Sequence, residues 1–355
     1  MFMKKENQKM WLDFLFGSFS KNIGIDLGTS TTLVHIKGKG IVLYEPSVVA
    51  FKDGGNKILA VGEEAKKMLG RTPRGIFTVR PLKEGVIADF EVTAEMLKYF
   101  IKKVHNSNRF TRPSIVICVP SGVTEVEKRA VSEVAYKCGA GRVFLIDEPI
   151  AAAIGVGLPI FEPMGNLVID IGGGTSEVAI ISLGGIVVSE LSQVAGDYIN
   201  ETISKYVKQA HNLYIGELTA EEIKLGLSTN KEDGENGDYE IRGRDKVTGL
   251  PKIIKISKDE LREALSEPLR IIANTVRMAL EKTPPELISD IVDKGVIMTG
   301  GGSLLIGLPE LLQEEIGIPV FVSPKPVYCV IKGIGKVLED FNFYQRVLIR
   351  TSKTV

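Results

Sequence analysis

The chain has 355 residues, long enough for two domains with cores of their own, and its 44 Lys and Arg balance 44 Asp and Glu, with no long basic run to suit nucleic acid. Cys118, Cys138 and Cys329 show no paired spacing and His35, His105 and His211 no ligand pattern, so neither a disulfide framework nor a metal–thiolate site is expected. No apolar run reaches the ~20 residues that a membrane span requires.

The first twenty residues differ in character from the rest. After Lys4, Lys5 and Lys9, the residues Trp11, Leu12, Leu15, Phe16 and Phe19 share one face at helical spacing. Such a basic-flanked helix would lie in a bilayer interface, held partly by anionic lipid. Asp13 interrupts the apolar part and no small-residue cleavage site follows, which argues against a secretory signal. A helix packed on its own domain is the other reading.

Ile23 to Val34 reads as strand, tight loop and strand, with Asp26 at the mouth and Gly28, Thr29, Ser30 and Thr31 in the loop. Bare amides and hydroxyls there make an anion cradle, and a neighbouring carboxylate suits a metal riding on the anion. Alone, such a hairpin is often only a turn. Strands at Ile41–Phe51 and Ile58–Val61 flank Gly54-Gly55, and Gly62–Leu69 reads as a helix closed by Gly70. Ala94–Val104 is amphipathic, with Met96, Leu97, Phe100, Ile101 and Val104 inward. The polar loop at 105–112 offers one exposed-looking aromatic, Phe110. A strand at Ser114–Val119, a helix at Glu125–Lys137 and a strand at Val143–Ile146 indicate an α/β fold.

That last strand runs into Asp147-Glu148-Pro149. Pro149 suits a first helical turn and the acids its positive end. In chemical terms, Glu148 beside a phosphate loop would orient and polarise an attacking water. The hairpin then recurs: Asp26 falls on Asp170, Gly28 on Gly172, Thr31 on Thr175, Thr32 on Ser176 and Val34 on Val178, and the match runs on to Ile36 with Ile180 and Gly40 with Gly184. Two copies of one unit, Gly173 and Gly174 completing the second loop, would clamp a polyphosphate and leave a divalent cation between Asp26 and Asp170.

Helices follow at Tyr198–His211 and Ala220–Leu227. On the latter, Glu221, Lys224 and Ser228 share a face, by default an ordinary surface pair. A solvated loop at 231–238 leads to a hairpin, Tyr239–Arg242 with Ile253–Ile256, and to a helix at Lys258–Lys282 dented at Pro268. Gly295 to Leu305 reads as strand, glycine turn and helix, Gly300, Gly301 and Gly302 letting backbone lie against a planar or phosphorylated ligand. A strand at Ile318–Val322 and a helix at Val330–Leu338 close the pattern. No element is legible from Phe341 onward.

Two Asp-Gly-Thr hairpins, Glu148 between them and a late Thr-Gly-Gly-Gly turn resemble the actin/sugar-kinase/heat-shock-chaperone ATPase superfamily. Asp-Leu-Gly-Thr at 26–29, Gly-Ile-Val-Leu-Tyr-Glu-Pro-Ser-Val-Val-Ala at 40–50, Leu-Gly-Arg-Thr-Pro at 69–73, Arg-Pro-Leu-Lys-Glu-Gly-Val-Ile-Ala-Asp-Phe at 80–90, Phe-Leu-Ile-Asp-Glu-Pro at 144–149 and Pro-Pro-Glu-Leu at 284–287 are similar to the MreB family of bacterial actins.

The resemblance implies a two-lobed actin-like α/β fold: a membrane-binding segment at 1–21, a first lobe at 22–150, a second at 151–322 with an insert near 196–257, a returning helix at 323–340 and a tail at 341–355. It implies ATP and Mg²⁺ in the cleft. Asp26 and Asp170 would hold the metal through waters, while Gly28 to Thr31 and Gly172 to Thr175 hold the phosphates. Glu148 and Thr175 would position the lytic water. Glu221 and Lys224, with Ser228 beside them, would meet the ribose, and Gly300, Gly301, Gly302, Ser303 and Leu304 would approach the adenosine.

The implied partners are further copies in paired protofilaments, anionic lipid at the inner face of the cytoplasmic membrane, and the machinery of cell-wall elongation. The expected role is a slow ATPase cytoskeleton that maintains rod shape. Ser30-Thr31 stands where that family usually has Ala-Asn, Asp147 where it has Glu, and Phe110 alone where two apolar residues are common. A small-molecule kinase of the superfamily would need an acceptor site and a second carboxylate constellation that the sequence does not offer. A chaperone would need a peptide-binding domain, for which the chain leaves no room. A related protein serving motility is the remaining alternative.

Overall fold

The computed structural model describes residues 22–52, 58–104, 112–228 and 238–351. The N-terminal face from Trp11 to Phe19, Phe110 and the loop at 231–237 lie outside the described residues. Among the described residues no helix is long and apolar enough to cross a membrane.

The chain opens with β1 (Ile23–Leu27), β2 (Thr31–Ile36) and β3 (Gly40–Pro46). β4 (Val49–Lys52), β5 (Ile58–Val61) and β6 (Ile76–Val79) form a small sheet, and β7 (Leu82–Lys83) pairs with β8 (Val86–Ile87). β9 (Ser114–Val119) and β10 (Arg142–Asp147) return to the first three strands. The second half repeats this order with β11 (Asn166–Ile171), β12 (Ser176–Ser182) and β13 (Gly185–Ser192). A side sheet of β14 (Leu213–Tyr214), β15 (Asp238–Asp245) and β16 (Pro251–Ser257) follows, and then β17 (Val296–Thr299), β18 (Val320–Val322) and β19 (Ile349–Arg350).

The large sheets run β19-β10-β9-β1-β2-β3 and β13-β12-β11-β17-β18. Five strands correspond. β1 pairs antiparallel with β2 and parallel with β9, and β11 does the same with β12 and β17. Every residue of β1 and β11 is buried, as strands covered on both faces require. The sequence repeat is therefore a repeat of topology.

Between the sheets lie two helices, Glu148–Val156 and Cys329–Glu339. Their core takes Leu33, Val116 and Ile146 from one sheet and Val168, Ala179 and Ile181 from the other. Each such buried aliphatic contributes about 1.5–3 kcal/mol, so this layer joins the halves. The helices touch backbone to backbone: a Cβ on Gly333 would overlap the Ala151 carbonyl, and one on Gly155 the Cys329 carbonyl.

Several elements differ from expectation. The helix at Gly62–Leu69 is α-helical only over Glu63–Lys66, after which Met68 and Leu69 bond back three residues in tight turns. The amphipathic helix starts at Phe90, four residues early, because Asp89 accepts the Val92 amide and serves as its cap. Lys258–Lys282 is two helices, Lys258–Ala264 and Ser266–Glu281. Pro268 lies in the first turn of the second, where no amide partner is needed. The glycine turn after Thr299 is a 3₁₀ turn at Gly301–Leu304, and the next helix begins at Leu308. From Phe341 the chain is ordered into a short helix and β19, which pairs with β10, and Phe341 packs edge-on against Phe144 at 5.0 Å.

Candidate functional site

The duplicated hairpins face each other across a cleft between the halves. In each the turn closes identically, Gly28 N to Thr31 O at 3.1 Å and Gly172 N to Thr175 O at 2.8 Å. The loops interlock: a Cβ on Gly173 would overlap the Ser30 hydroxyl and one on Gly174 the Thr29 hydroxyl. Glycine is required there because the opposite loop already fills the space.

Asp26 and Asp170 end equivalent strands on the cleft wall, 8% and 5% exposed, with Glu148 at the start of the central helix beside them. Burial pushes Asp26 up to about 7, opposed by the Cys118 thiol, which donates to its Oδ1 at 3.3 Å, and reinforced by the charge of Asp170. Burial likewise lifts Asp170 to about 6, against a 2.5 Å hydrogen bond from Thr299. Glu148 is raised well above the carboxylate range by burial and by Asp170, Asp26 and Glu177. Three acids thus share a site poor in positive charge.

The residues fit a divalent cation held by two carboxylates and completed by water and phosphate oxygens. Among the described residues no three His, Cys, Asp or Glu side chains gather as a direct ligand set.

Of the nucleotide set expected from sequence, Gly28 to Thr31, Gly172 to Thr175, Glu221, Lys224, Ser228, Gly300 to Gly302 and Leu304 all line one cleft. Ser303 does not. It is 1% exposed and its hydroxyl donates to Gly300 O at 2.7 Å within the turn. Two side chains on the wall are engaged elsewhere. Ser30 donates to Asp197 at 3.1 Å, and Glu221 pairs with Lys66 at 2.8 Å. Lys224 donates to Gly196 O at 2.9 Å, and Ser228 to Lys224 O at 3.1 Å.

Sequence reasoning missed Cys118, Asp197 and Glu177. Asp197 stands at a helix start whose amide reaches Gly173 O at 2.7 Å, and the Gly196-Asp197 pair was its only local signal. Glu177 is an acid next to the apolar run Val178–Ile181 of a strand whose first six residues are buried, which is a signal in itself. Burial pushes it up to about 7, opposed by hydrogen bonds from Ser121. Cys118 carries no signal beyond its place at a strand end.

The sequence profile of the family described as MreB/Mbl protein matches residues 20–346. The cell shape-determining protein Mbl of Bacillus subtilis (strain 168) is 51% identical over 324 residues, covering 91% of this chain and 97% of that protein. The cell shape-determining protein MreB of Escherichia coli (strain K12) is 52% identical over 334 residues, covering 92% and 96%. The crystal structure of MreB5 of Spiroplasma citri bound to AMPPNP superposes with a TM-score of 0.86 at 37% identity, over 92% of this chain and 98% of that one. A MamK double helical filament shares the fold, with a TM-score of 0.74 at 21% identity over 90% and 99%.

Proposed function

Because the chain belongs to the MreB/Mbl family and has its actin-like fold, we propose that it is a cytoskeletal ATPase whose filaments maintain rod cell shape. The observation that carries the nucleotide reading is the pairing of Asp26 and Asp170 at equivalent strand ends across interlocked glycine loops, a cradle with too little positive charge of its own. Binding of AMPPNP and ADP by the Spiroplasma citri relative supports it.

In this reading the loops Gly28–Thr31 and Gly172–Thr175 bind the phosphates through backbone amides and hydroxyls. Asp26 and Asp170 would hold a Mg²⁺ ion through its waters, and the ion would offset the phosphate charge. Glu148 and Thr175 position the attacking water. Phosphoryl transfer asks for little beyond such placement and charge neutralisation, and burial of the site strengthens both. Glu221 and Lys224 approach the ribose, and the turn at Gly300–Leu304 the base.

The basic and aromatic residues of segment 1–21, Trp11, Leu12, Leu15, Phe16 and Phe19 among them, hold filaments on anionic lipid at the inner face of the cytoplasmic membrane, where they organise cell-wall elongation. The test is equilibrium binding of ATP to the purified full chain with and without Mg²⁺, with phosphate release followed on the same samples and flotation with anionic and neutral liposomes. Mg²⁺-dependent binding, slow release and flotation with anionic vesicles alone are expected. Absence of nucleotide binding would refute the reading.

A further inference from the structure

Among the buried positions at which the two hairpins differ, one exchanges an apolar side chain for an acid. Opposite Asp26 on the paired strand stands Leu33, and opposite Asp170 stands Glu177. Leu33 is ordinary core, whereas Glu177 is a carboxylate 1% exposed. A buried acid is costly, so its place in a buried strand calls for a use.

Glu177 is not on the cleft wall. Its Oε1 accepts the Ser121 backbone N–H at 2.8 Å and also the Ser121 hydroxyl, and the Ser189 hydroxyl lies 2.5 Å from that of Ser121. Ser121 has one hydroxyl proton and gives it to Glu177, so Ser189 donates to Ser121. Glu177 Oε2 is buried with no hydrogen-bond partner among the described residues.

Ser121 belongs to the opposite half, in the turn that follows β9, and its neighbour Pro120 lines the cleft. A Cβ on Gly85 would meet Pro120 Cγ at 2.9 Å and Thr175 Cγ2 at 3.0 Å, so Pro120 and Thr175 press on the same spot.

We propose that Glu177 is a positioning residue for hydrolysis: it grips the Pro120–Ser121 turn of the other half and thereby fixes the cleft wall beside Thr175. The inference rests on the reading of Glu148 and Thr175 as the hydrolytic pair. When the grip is lost the turn slips, Pro120 moves from its place around Gly85 that it shares with Thr175, and the attacking water gains room to wander. The grip acts on the Pro120–Ser121 turn and not on the amides of the phosphate loops, so nucleotide affinity changes little.

The experiment is phosphate release against MgATP concentration at matched sedimented protein, for the full chain, Glu177→Gln, Ser121→Ala, their double variant and Glu177→Leu. At pH 8, where Glu177 is mostly ionised, Glu177→Gln replaces a charge-assisted hydrogen bond with a neutral one and should lower kcat about 5–10-fold with KM within about 2-fold. Ser121→Ala should lower it about 2–3-fold, and the double variant no further than Glu177→Gln, since the two residues form one contact. Glu177→Leu copies the first half, so it should keep or raise the melting midpoint while losing hydrolysis. A merely structural role would move the midpoint and spare kcat.

Wild-type kcat in Glu177→Gln, an equal rise in KM, or additive losses in the double variant would overturn the inference. A wild-type chain that releases no phosphate overturns the hydrolytic reading and this inference with it. An active wild type with an equally active Glu177→Gln overturns this inference alone.

Discussion

The Lys66 ammonium lies 2.8 Å from the Glu221 carboxylate and ties the short helix Glu63–Lys66 of the first half to the helix Glu217–Leu227 of the second. Arg80 and Glu217 form a second such tie at 2.7 Å. Glu221 lines the cleft, and Arg80 and Glu217 line an adjoining pocket with Thr29 and Gly174. Partly exposed pairs contribute at most about 1 kcal/mol to stability, so their consequence is for opening rather than folding. Lys66→Ala should speed nucleotide release about 2–5-fold with little change in melting midpoint, on the same magnitude. Stopped-flow chase of a fluorescent ATP analogue measures this, and an unchanged off-rate would show that the tie does not gate the cleft.

Glu148 is the acid placed to orient the attacking water. Glu148→Ala should bind ATP with near-native affinity and release phosphate about 100-fold more slowly or worse, the range lost with a general base. Single-turnover phosphate release alongside equilibrium binding separates the two effects. Unchanged release would remove Glu148 from the chemistry.

Burial pushes Asp26 up to about 7 and Asp170 to about 6, both above the 3.8 of an unperturbed carboxyl. Folded protein therefore holds protons that the unfolded chain gives up. The stability these groups contribute is complete below the unfolded value of 3.8 and is lost as pH rises through 6 to 7. Nucleotide-free protein should melt lower at pH 8 than at pH 5.5, and the Asp26→Asn/Asp170→Asn variant should show a flatter profile. Affinity for MgATP should rise over the same interval, because the cation requires ionised carboxylates. Calorimetric scans across pH give the comparison, and parallel profiles for the two proteins would contradict it.

Gly333 meets the Ala151 carbonyl at the crossing of the two central helices. A methyl there has no room, and Gly333→Ala should cost about 1–3 kcal/mol as the helices part. Urea denaturation reads the loss as a lower midpoint at constant slope. An unchanged midpoint would show that the crossing relaxes freely.

The repeat was legible in the sequence because a tight loop after a buried strand demands glycine and leaves its hydroxyls and acid unchanged in kind, so Asp26 and Asp170 could be aligned letter by letter. Topology then followed from two copies of one unit. Elements whose form depends on distant packing were not legible. The break at Leu265 comes before Pro268, and no local pattern marks it. Ser303 turns inward because its residues form a 3₁₀ turn, a choice that Gly301 and Gly302 leave open. Ser30 and Glu221 were read from their own loop and helix, whereas their partners Asp197 and Lys66 lie more than 150 positions away in the chain. Glu177 acquires meaning only once Ser121 arrives from the other half.

The central claim is that nucleotide in this cleft drives assembly. Sedimentation of the purified full chain with Mg²⁺ and ATP, ADP or no nucleotide, with phosphate release read on the same samples, tests it most directly. ATP-dependent pelleting with slow release is expected, and little pelleting without nucleotide. Protein that stays in the supernatant with MgATP, or that hydrolyses ATP only when a sugar or peptide acceptor is added, would contradict it.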